Sequence, residues 1–232
     1  MSLKFLIVVM SLSLSFAAIA QDAIGYLQKA DEISHNPKLR GLKDLVVDLV
    51  SPQMTKQLND QKIFGNIREV SFRIFWTAQP ERIAIEVSGL PEGFREIKEE
   101  LKSVMIGRLE NIIPLPLDKK LQGYNFKTEA KKPRTVIAKD TTSLRPIPEY
   151  ELIFDADGKL ASMIAKKPVG LVTSTFTWAK APWSEPRFYV TRTMTRSEEG
   201  PQLTETETDT SWQTIAGIGF PSAVKTLSLI HI

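Results

Sequence analysis

The sequence predicts an α+β fold that is mainly antiparallel β, with one strongly curved sheet and a long helix against its concave face. Three patterns support this prediction. Residues 70–87 alternate between apolar and polar in two runs joined by a short loop, as in a hairpin. Residues 91–112 carry apolar side chains at helical spacing. From Tyr124 onward, strand-like segments recur roughly every 8 to 12 residues, which is typical of a continuous antiparallel sheet.

The register of the predicted hairpin follows from its loop, the four residues 78–81. That loop length sets apolar residues of one run opposite apolar residues of the other, and a cation opposite an anion on the other face. A shift by one residue would turn the whole apolar set outward, so the register is strongly specified. The predicted pairs are Trp76–Ile83, Ile74–Ile85, Phe72–Val87 and Arg73–Glu86.

Two helices are predicted. The short one, over 23–34, has Asp22 as its cap and ends before Asn36-Pro37. The long one, over 91–112, has acidic residues early and basic residues late, which suits the helix dipole. Its apolar stripe consists of Phe94, Ile97, Leu101, Val104, Met105 and Leu109.

About nine or ten strands are predicted. The last two form a hairpin around 199–202, which sets Arg196 opposite Glu205 and Arg192 opposite Asp209. Its charged face should be solvated and its threonine-rich face half-buried. The predicted strands outside the first hairpin are 45–49, 136–138, 150–154, 160–165, 171–178, 187–196 and 203–212.

The N-terminus predicts a secretory signal peptide over residues 1–20. Lys4 precedes an apolar run over 5–16, and a small-residue A-x-A motif at 18–20 supplies the cleavage site. The run is shorter than the roughly 20 apolar residues that a bilayer span needs. Because position 21 is Gln and the chain has no Cys, no lipid can be attached there. We therefore expect an exported, soluble protein that is not itself a lipoprotein.

The last six residues, 227–232, read like the in-frame translation of a transposase sequencing adapter (CTG TCT CTT ATA CAC ATC). On this hypothesis the natural chain continues beyond Thr226, and His231 carries no functional weight. The alternative is a short final strand, because the segment is apolar and β-prone. Sequencing the source gene across codon 226 distinguishes the two.

Composition predicts one domain over 21–226, large enough to build a single core. The chain has 30 Lys and Arg against 27 Asp and Glu, and no Cys. The charges are interspersed, so no nucleic-acid-binding surface is indicated. Without Cys there is no disulfide framework. No second apolar run reaches the length of a membrane span, so we do not expect an integral membrane protein.

No motif of an established catalytic site occurs: the chain lacks G-x-S-x-G, H-E-x-x-H, a P-loop and a Cys nucleophile. We expect no enzymatic activity, no cofactor and no metal. Residues 155–158 resemble a fragment of a calcium loop, but D-x-D-G between strands favours a turn. Gly217 and Gly219 also favour a turn over a dinucleotide motif. His35, at a helix end, is expected to be solvated.

The arrangement resembles the LolA/LolB superfamily of lipoprotein carriers in bacterial envelopes. The resemblance implies an open half β-barrel with a helical lid, in a periplasmic protein of the outer-membrane lipoprotein-sorting type. One position departs from the pattern: lipoprotein carriers often have a basic residue before the turn proline, where this chain has Gln79. The segments that carry the resemblance are 70–76, 80–87, 89–91, 152–160 and 217–222.

Two functions follow as alternatives. The first is a periplasmic carrier that binds the acyl chains of a lipid or lipoprotein in an apolar cavity and exchanges them with a membrane-bound donor or acceptor protein. The second is a sensor or scaffold whose barrel is filled and which binds other proteins. Residue types alone favour a filled core, and a hydrolase with dispersed carboxylates would need a polar cleft. The predicted cavity residues are Phe72, Ile74, Trp76, Ile85, Leu101 and Met105.

Overall fold

The structure is a computed structural model that describes residues 22–61 and 66–231, with side chains through residue 229. The predicted signal peptide, 1–20, lies outside the described residues. The chain divides into two compact units. Asn36–Pro114 forms one unit, and the other combines the residues up to His35 with those from Leu115 onward. The single domain predicted over 21–226 stays a prediction.

Strands dominate both units, and helices occur in both. The described part of α1 covers 22–33, one residue away from the predicted 23–34 at each end, so that Asp22, the predicted cap, is itself helical. The remaining elements, in chain order, are a 3₁₀ helix (Pro37–Arg40), β1 (Asp44–Val50), α2 (Pro52–Asp60), β2 (Ser71–Ala78), β3 (Glu81–Ser88), α3 (Arg95–Leu109), α4 (Leu117–Lys120), β4 (Asn125–Glu129), β5 (Lys132–Lys139), β6 (Glu149–Phe154), β7 (Leu160–Lys167), β8 (Gly170–Ala179), β9 (Tyr189–Glu199), β10 (Gln202–Ile215) and β11 (Ile218–His231).

The predicted α+β class is confirmed, and all strand pairings within the sheets are antiparallel. Two sheets form where the sequence predicted one, in the orders β1-β2-β3 and β11-β10-β9-β8-β7-β6-β5-β4. Within each sheet, strands that follow one another in the chain pair, even β1 and β2, which are connected through α2. The break falls at the longest connection, the segment with α3 and α4 between β3 and β4.

The predicted register of the β2–β3 hairpin is confirmed at all four pairs. Arg73 lies opposite Glu86, but its guanidinium binds the Asp48 carboxylate through Nε (2.7 Å) and Nη2 (3.0 Å). The sequence did not predict that β1 would pair with the other edge of β2 and place Asp48 beside Arg73. A bidentate contact across strands is geometrically favourable for Arg.

α2 was not predicted, although its start carries a helix signal. Ser51 caps it by accepting a hydrogen bond from the Met54 N–H (3.3 Å), and Pro52 follows in the first turn. α3 begins later and ends earlier than the predicted 91–112. Gly93, with a φ of 95°, interrupts the helical backbone just before α3 begins.

In the other unit, α1 packs on one end of the eight-stranded sheet. Its buried residues Ala23, Leu27 and Ala30 join a core built from β5, β6 and β7, and the Tyr26 ring stacks on Phe154 at 5.6 Å. Because Ala23, Leu27 and Ala30 are four and three residues apart, they lie on one face of α1. The sheet residues of this core are Val136, Ala138, Leu152, Phe154 and Leu160.

The β9–β10 hairpin has the predicted register, and the predicted sidedness holds along β9 only, because on β10 Glu205, Glu207 and Asp209 are half-buried like the threonines between them. Arg192 pairs with Asp209 (2.7 Å), and Arg196 lies 3.9 Å from Glu205. Along β9, the threonines are half-buried and the alternate residues are exposed. The backbone of residues 227–231 forms the end of β11 against β10. This conformation is the one expected of a final strand, and the adapter origin of the segment stays a prediction.

Candidate functional site

The six residues predicted to line an acyl-chain cavity all lie in the Asn36–Pro114 unit. β2 contributes three of them, because alternation points every second side chain to one face. On β3, Ile85 lies opposite Ile74 of β2, and α3 contributes the other two residues. Five of the six are at most 9 % exposed, and Leu101 is half-buried. The six are Phe72, Ile74, Trp76, Ile85, Leu101 and Met105.

α3 packs against β3. The strand neighbours of Ile85, which are Ala84 and Glu86, are exposed, so α3 must lie on the face that carries Ile85. The structure therefore brings the predicted residues of the helix and of the sheet to the same side of the sheet.

Polar contacts hold the indole of Trp76. Its Nε1–H donates to Glu81 Oε1 (3.3 Å), and Lys38 Nζ lies 5.1 Å from the ring centroid. Lys38 also binds the Glu81 carboxylate. The hydrogen bond from Lys38, followed by the one from Trp76, lowers the pKa of Glu81. The indole therefore has one fixed orientation, with its polar edge toward the hairpin loop.

α3 packs on β3 with few buried residues of its own. Of its 15 residues only Met105 and Leu109 are buried, while Val104 is 41 % and Ile106 50 % exposed. The predicted place of Val104 in the apolar stripe is wrong, because adjacent helical positions differ by about 100° and Met105 already faces inward. The cap position holds Phe94, whose side chain gives the helix no capping hydrogen bond.

A cleft of about 350 Å³ lies beside α2, away from the predicted residues. Its lining comes from the end of β1, from α2 and from residues 67–69, and none of the six predicted residues contributes. Five of those six residues belong to the buried apolar core, and Leu101 is half-buried.

Residues 155–158 form the predicted turn between β6 and β7, with Gly158 at a φ of 92°. Lys159 Nζ binds both carboxylates, at 3.1 Å from Asp155 Oδ2 and 2.6 Å from Asp157 Oδ2. The charges that a calcium ion would need are thus paired within the turn. Over residues 22–61 and 66–231, no group of three His, Cys, Asp or Glu side chains could hold a metal ion.

His35 is buried, and its predicted solvation is wrong. The His35 N–H donates to the Phe188 carbonyl (2.6 Å), and the Phe188 N–H donates to the Ile33 carbonyl (2.7 Å). The side chain is 5 % exposed, with Nε2 at 2.9 Å from the Gly219 carbonyl oxygen. Because a carbonyl oxygen only accepts, Nε2 carries the proton. His35 therefore links the end of α1 to β11.

Two tryptophan rings lie against His35, with centroids 5.1 Å (Trp183) and 5.7 Å (Trp212) from the imidazole, and Tyr189 extends this aromatic cluster, which the sequence did not indicate. The centroid of the Trp183 ring lies 4.6 Å from that of Tyr189 and 5.6 Å from that of Trp212, so the three rings pack against one another. A Cβ on Gly219 would lie 2.0 Å from the Trp183 ring, so Gly219 is required by close packing. The members come from separate segments of the chain, so no local pattern indicates the cluster.

Among the acidic groups of the described residues, Asp31 is the one with a strongly raised pKa. Both of its carboxylate oxygens accept from the Leu117 N–H, at 3.0 and 2.9 Å. Burial raises the pKa of Asp31 to about 6, the Leu117 hydrogen bond opposes this rise, and the Asp118 charge adds to it. The contact fixes the start of α4 to α1, so Asp31 has a structural role.

No protein-family model matches the chain, and the searches of curated proteins and of solved structures return no match. The resemblance to the LolA/LolB superfamily therefore stays a prediction from the sequence. No helix in the described part of the chain combines the length and the apolar character needed to cross a membrane.

Proposed function

We propose that the protein is a non-covalent carrier for the acyl chains of a lipid or lipoprotein, which bind to the apolar face of β2 and β3 beneath α3. One contrast carries the proposal. Phe72, Ile74 and Trp76 are at most 2 % exposed, whereas α3 buries only Met105 and Leu109. Because α3 packs on β3 of this sheet through so few buried residues, we infer that it can move away and open the apolar face without unfolding the sheet.

The proposal extends to location and partners through the resemblance to LolA/LolB carriers. The protein is exported to the periplasm, takes the shape of an open half-barrel with α3 as its lid, and exchanges its cargo with a membrane-bound donor or acceptor protein. Binding involves no covalent chemistry, cofactor or metal.

The free energies involved allow an acyl chain to displace α3. Fully burying a Met or Leu side chain stabilises by about 1.5–3 kcal/mol, so Met105 and Leu109 anchor α3 with roughly 3–6 kcal/mol. An acyl chain gains about 0.8 kcal/mol per buried methylene, or about 8 kcal/mol for ten of them. The free energy gained by burying ten methylenes therefore exceeds the free energy that anchors α3. This comparison leaves aside the entropy that the acyl chain loses when it is ordered in the site.

Binding of a fluorescent fatty acid to the full chain tests this proposal. Ile85→Glu places a charge on the buried face and should abolish saturable binding. Ala84→Glu, one residue away on the exposed face of the same strand, should leave it intact. Gln79→Ala, in the hairpin turn, should also change little.

A second pair of variants on α3 covers the case in which Ile85→Glu prevents folding. Leu101→Glu should weaken binding because Leu101 is half-buried, and the exposed Val104→Glu is its control. Saturable binding that survives both Ile85→Glu and Leu101→Glu would place the site elsewhere.

The near-complete burial of Phe72, Ile74 and Trp76 also favours a second candidate function, a periplasmic sensor or scaffold with a filled interior. Native mass spectrometry of the full-length protein purified from its own periplasm separates the two. A bound lipid mass supports the carrier. Protein without lipid, together with no saturable fatty-acid binding, supports the sensor or scaffold.

A further inference from the structure

The cleft beside α2 has walls that are fixed by hydrogen bonds. The Asn59 side chain binds both backbone groups of Ile67: its Nδ2 donates to the carbonyl and its Oδ1 accepts from the N–H, each at 2.9 Å. Thr55 Oγ1 accepts from the Val70 N–H at 2.9 Å. The Ser51 N–H donates to the Val70 carbonyl at 3.2 Å. These contacts hold α2 against residues 67–70, so the cleft is formed before any ligand arrives.

Two cations line this cleft without partners. Over residues 22–61 and 66–231, neither Lys56 nor Arg68 makes an ion pair or a side-chain hydrogen bond. Some basic residues of the same unit are paired, as Lys38 is with Glu81 and Arg73 with Asp48. Others, such as Lys43 and Arg82, form no ion pair with the described residues, so what distinguishes Lys56 and Arg68 is that both line one cleft. Glu69 also lines the cleft, so its three charged groups leave a net charge of +1.

The rest of the lining suits the carbon part of a small ligand. Val50, Pro52 and Ile67 give the cleft apolar surface. Its volume of about 350 Å³ is near the lower end of the range for small-molecule sites. The cleft therefore combines a small apolar wall with two unpaired cations on a fixed frame.

We propose that this cleft binds a small organic anion through its carboxylate or phosphate group. The Arg68 guanidinium presents a planar fork that suits two oxygens of such a group, and the Lys56 ammonium adds a second positive charge. The apolar wall contacts the organic part. This proposal is independent of acyl-chain binding beneath α3, because none of the residues proposed for that site lines the cleft.

Titration of the ¹⁵N-labelled full chain with glycerol 3-phosphate, inorganic phosphate and acetate, followed by NMR, tests the proposal. We expect saturable shifts in the amide signals of residues 55–59 and 67–69. The double variant Lys56→Gln/Arg68→Gln should bind at least about tenfold more weakly, because it loses the charge-assisted hydrogen bonds. The control Lys43→Gln/Arg82→Gln removes the same charge at exposed positions outside the cleft and should leave binding unchanged.

The single variant Arg68→Lys keeps the positive charge but loses the planar fork of the guanidinium, so its affinity for the anions should lie between those of the unaltered chain and the double variant. It also tests the proposal if the double variant does not fold. Vesicles of phosphatidylglycerol and of phosphatidylcholine distinguish a lipid headgroup from a free anion. Binding to the anionic vesicles that glycerol 3-phosphate competes away identifies a headgroup site, and binding of the soluble anions alone identifies a free ligand. Shifts that do not saturate with any anion, or that persist in the double variant, overturn the proposal.

Discussion

Replacing Asp31 with Asn removes a charge that the fold holds in an unfavourable place. The carboxylate lies in the last turn of α1, where the helix dipole disfavours a negative charge. It is partly buried and has Asp118 nearby. An Asn side chain has nearly the same shape, and its oxygen can still accept the hydrogen bond from the Leu117 N–H.

The size and sign of the effect follow from the raised pKa. Between pH 3.8 and about 6, the folded protein retains a proton on Asp31 that the unfolded chain releases, so the free energy of unfolding falls as pH rises through this window. The rise from 3.8 to about 6 corresponds to at most about 3 kcal/mol. Because Asp31 is partly exposed, solvent screening reduces this figure to roughly 1 kcal/mol.

We therefore expect Asp31→Asn to stabilise the protein by roughly 1 kcal/mol at pH 7, or about 2–4 °C in Tm, and to have little effect at pH 4. Urea unfolding of the full chain between pH 4 and 8 measures this difference. Glu32→Gln, at the exposed neighbouring position, is the control and should show no such pH dependence. A loss of stability at pH 7, or an equal gain at pH 4 and pH 7, would refute the reasoning.

Two further predictions concern the eight-stranded sheet and α3. Glu151 is buried with its carboxylate bound to Lys132 (2.7 Å) and 3.8 Å from Lys166, whereas both lysines reach solvent. Lys132→Met/Lys166→Met should therefore cost about 3 kcal/mol by leaving a buried charge unpaired. Glu151→Gln should cost less, and equal losses in urea unfolding would contradict this account. Gly219→Ala should lower Tm because its Cβ would lie 2.0 Å from an indole ring, whereas Gly107→Ala on α3 meets nothing within 4 Å and should stabilise by about 1 kcal/mol. A Tm for Gly219→Ala at or above that of the unaltered chain would show that the ring moves aside freely.

The sequence predicted what short-range geometry determines. The loop of the first hairpin sets the pairing of Trp76 with Ile83, and the same logic holds for Arg192 and Asp209. The separation into two sheets was not predictable in this way, because it depends on which strand edges meet after a long helical connection. The start of α2 did carry a signal in Ser51-Pro52, so its omission was an error of interpretation.

The candidate site shows the same limit. Alternation on β2 predicted that Phe72, Ile74 and Trp76 would be buried together, and they are. Alternation does not predict how closely a helix packs over such a face, so the sequence left a filled core and an open slot as alternatives. The environment of His35 lay further beyond prediction, because the carbonyl that its side chain binds belongs to Gly219, 184 positions along the chain.

The division of the chain into units has a consequence for the order of folding. The Asn36–Pro114 unit is inserted between α1 and the sheet residues on which α1 packs. Its strands pair over short separations, so it can fold as soon as it has been synthesised. The apolar face of α1 is made earlier, but its buried core partners run from Leu121 to Leu160, and half-buried ones extend from Leu117 to Trp178. During synthesis, α1 must therefore remain unburied until the sheet residues that follow the Asn36–Pro114 unit have been made. A chaperone that binds apolar helical segments has this interval in which to act.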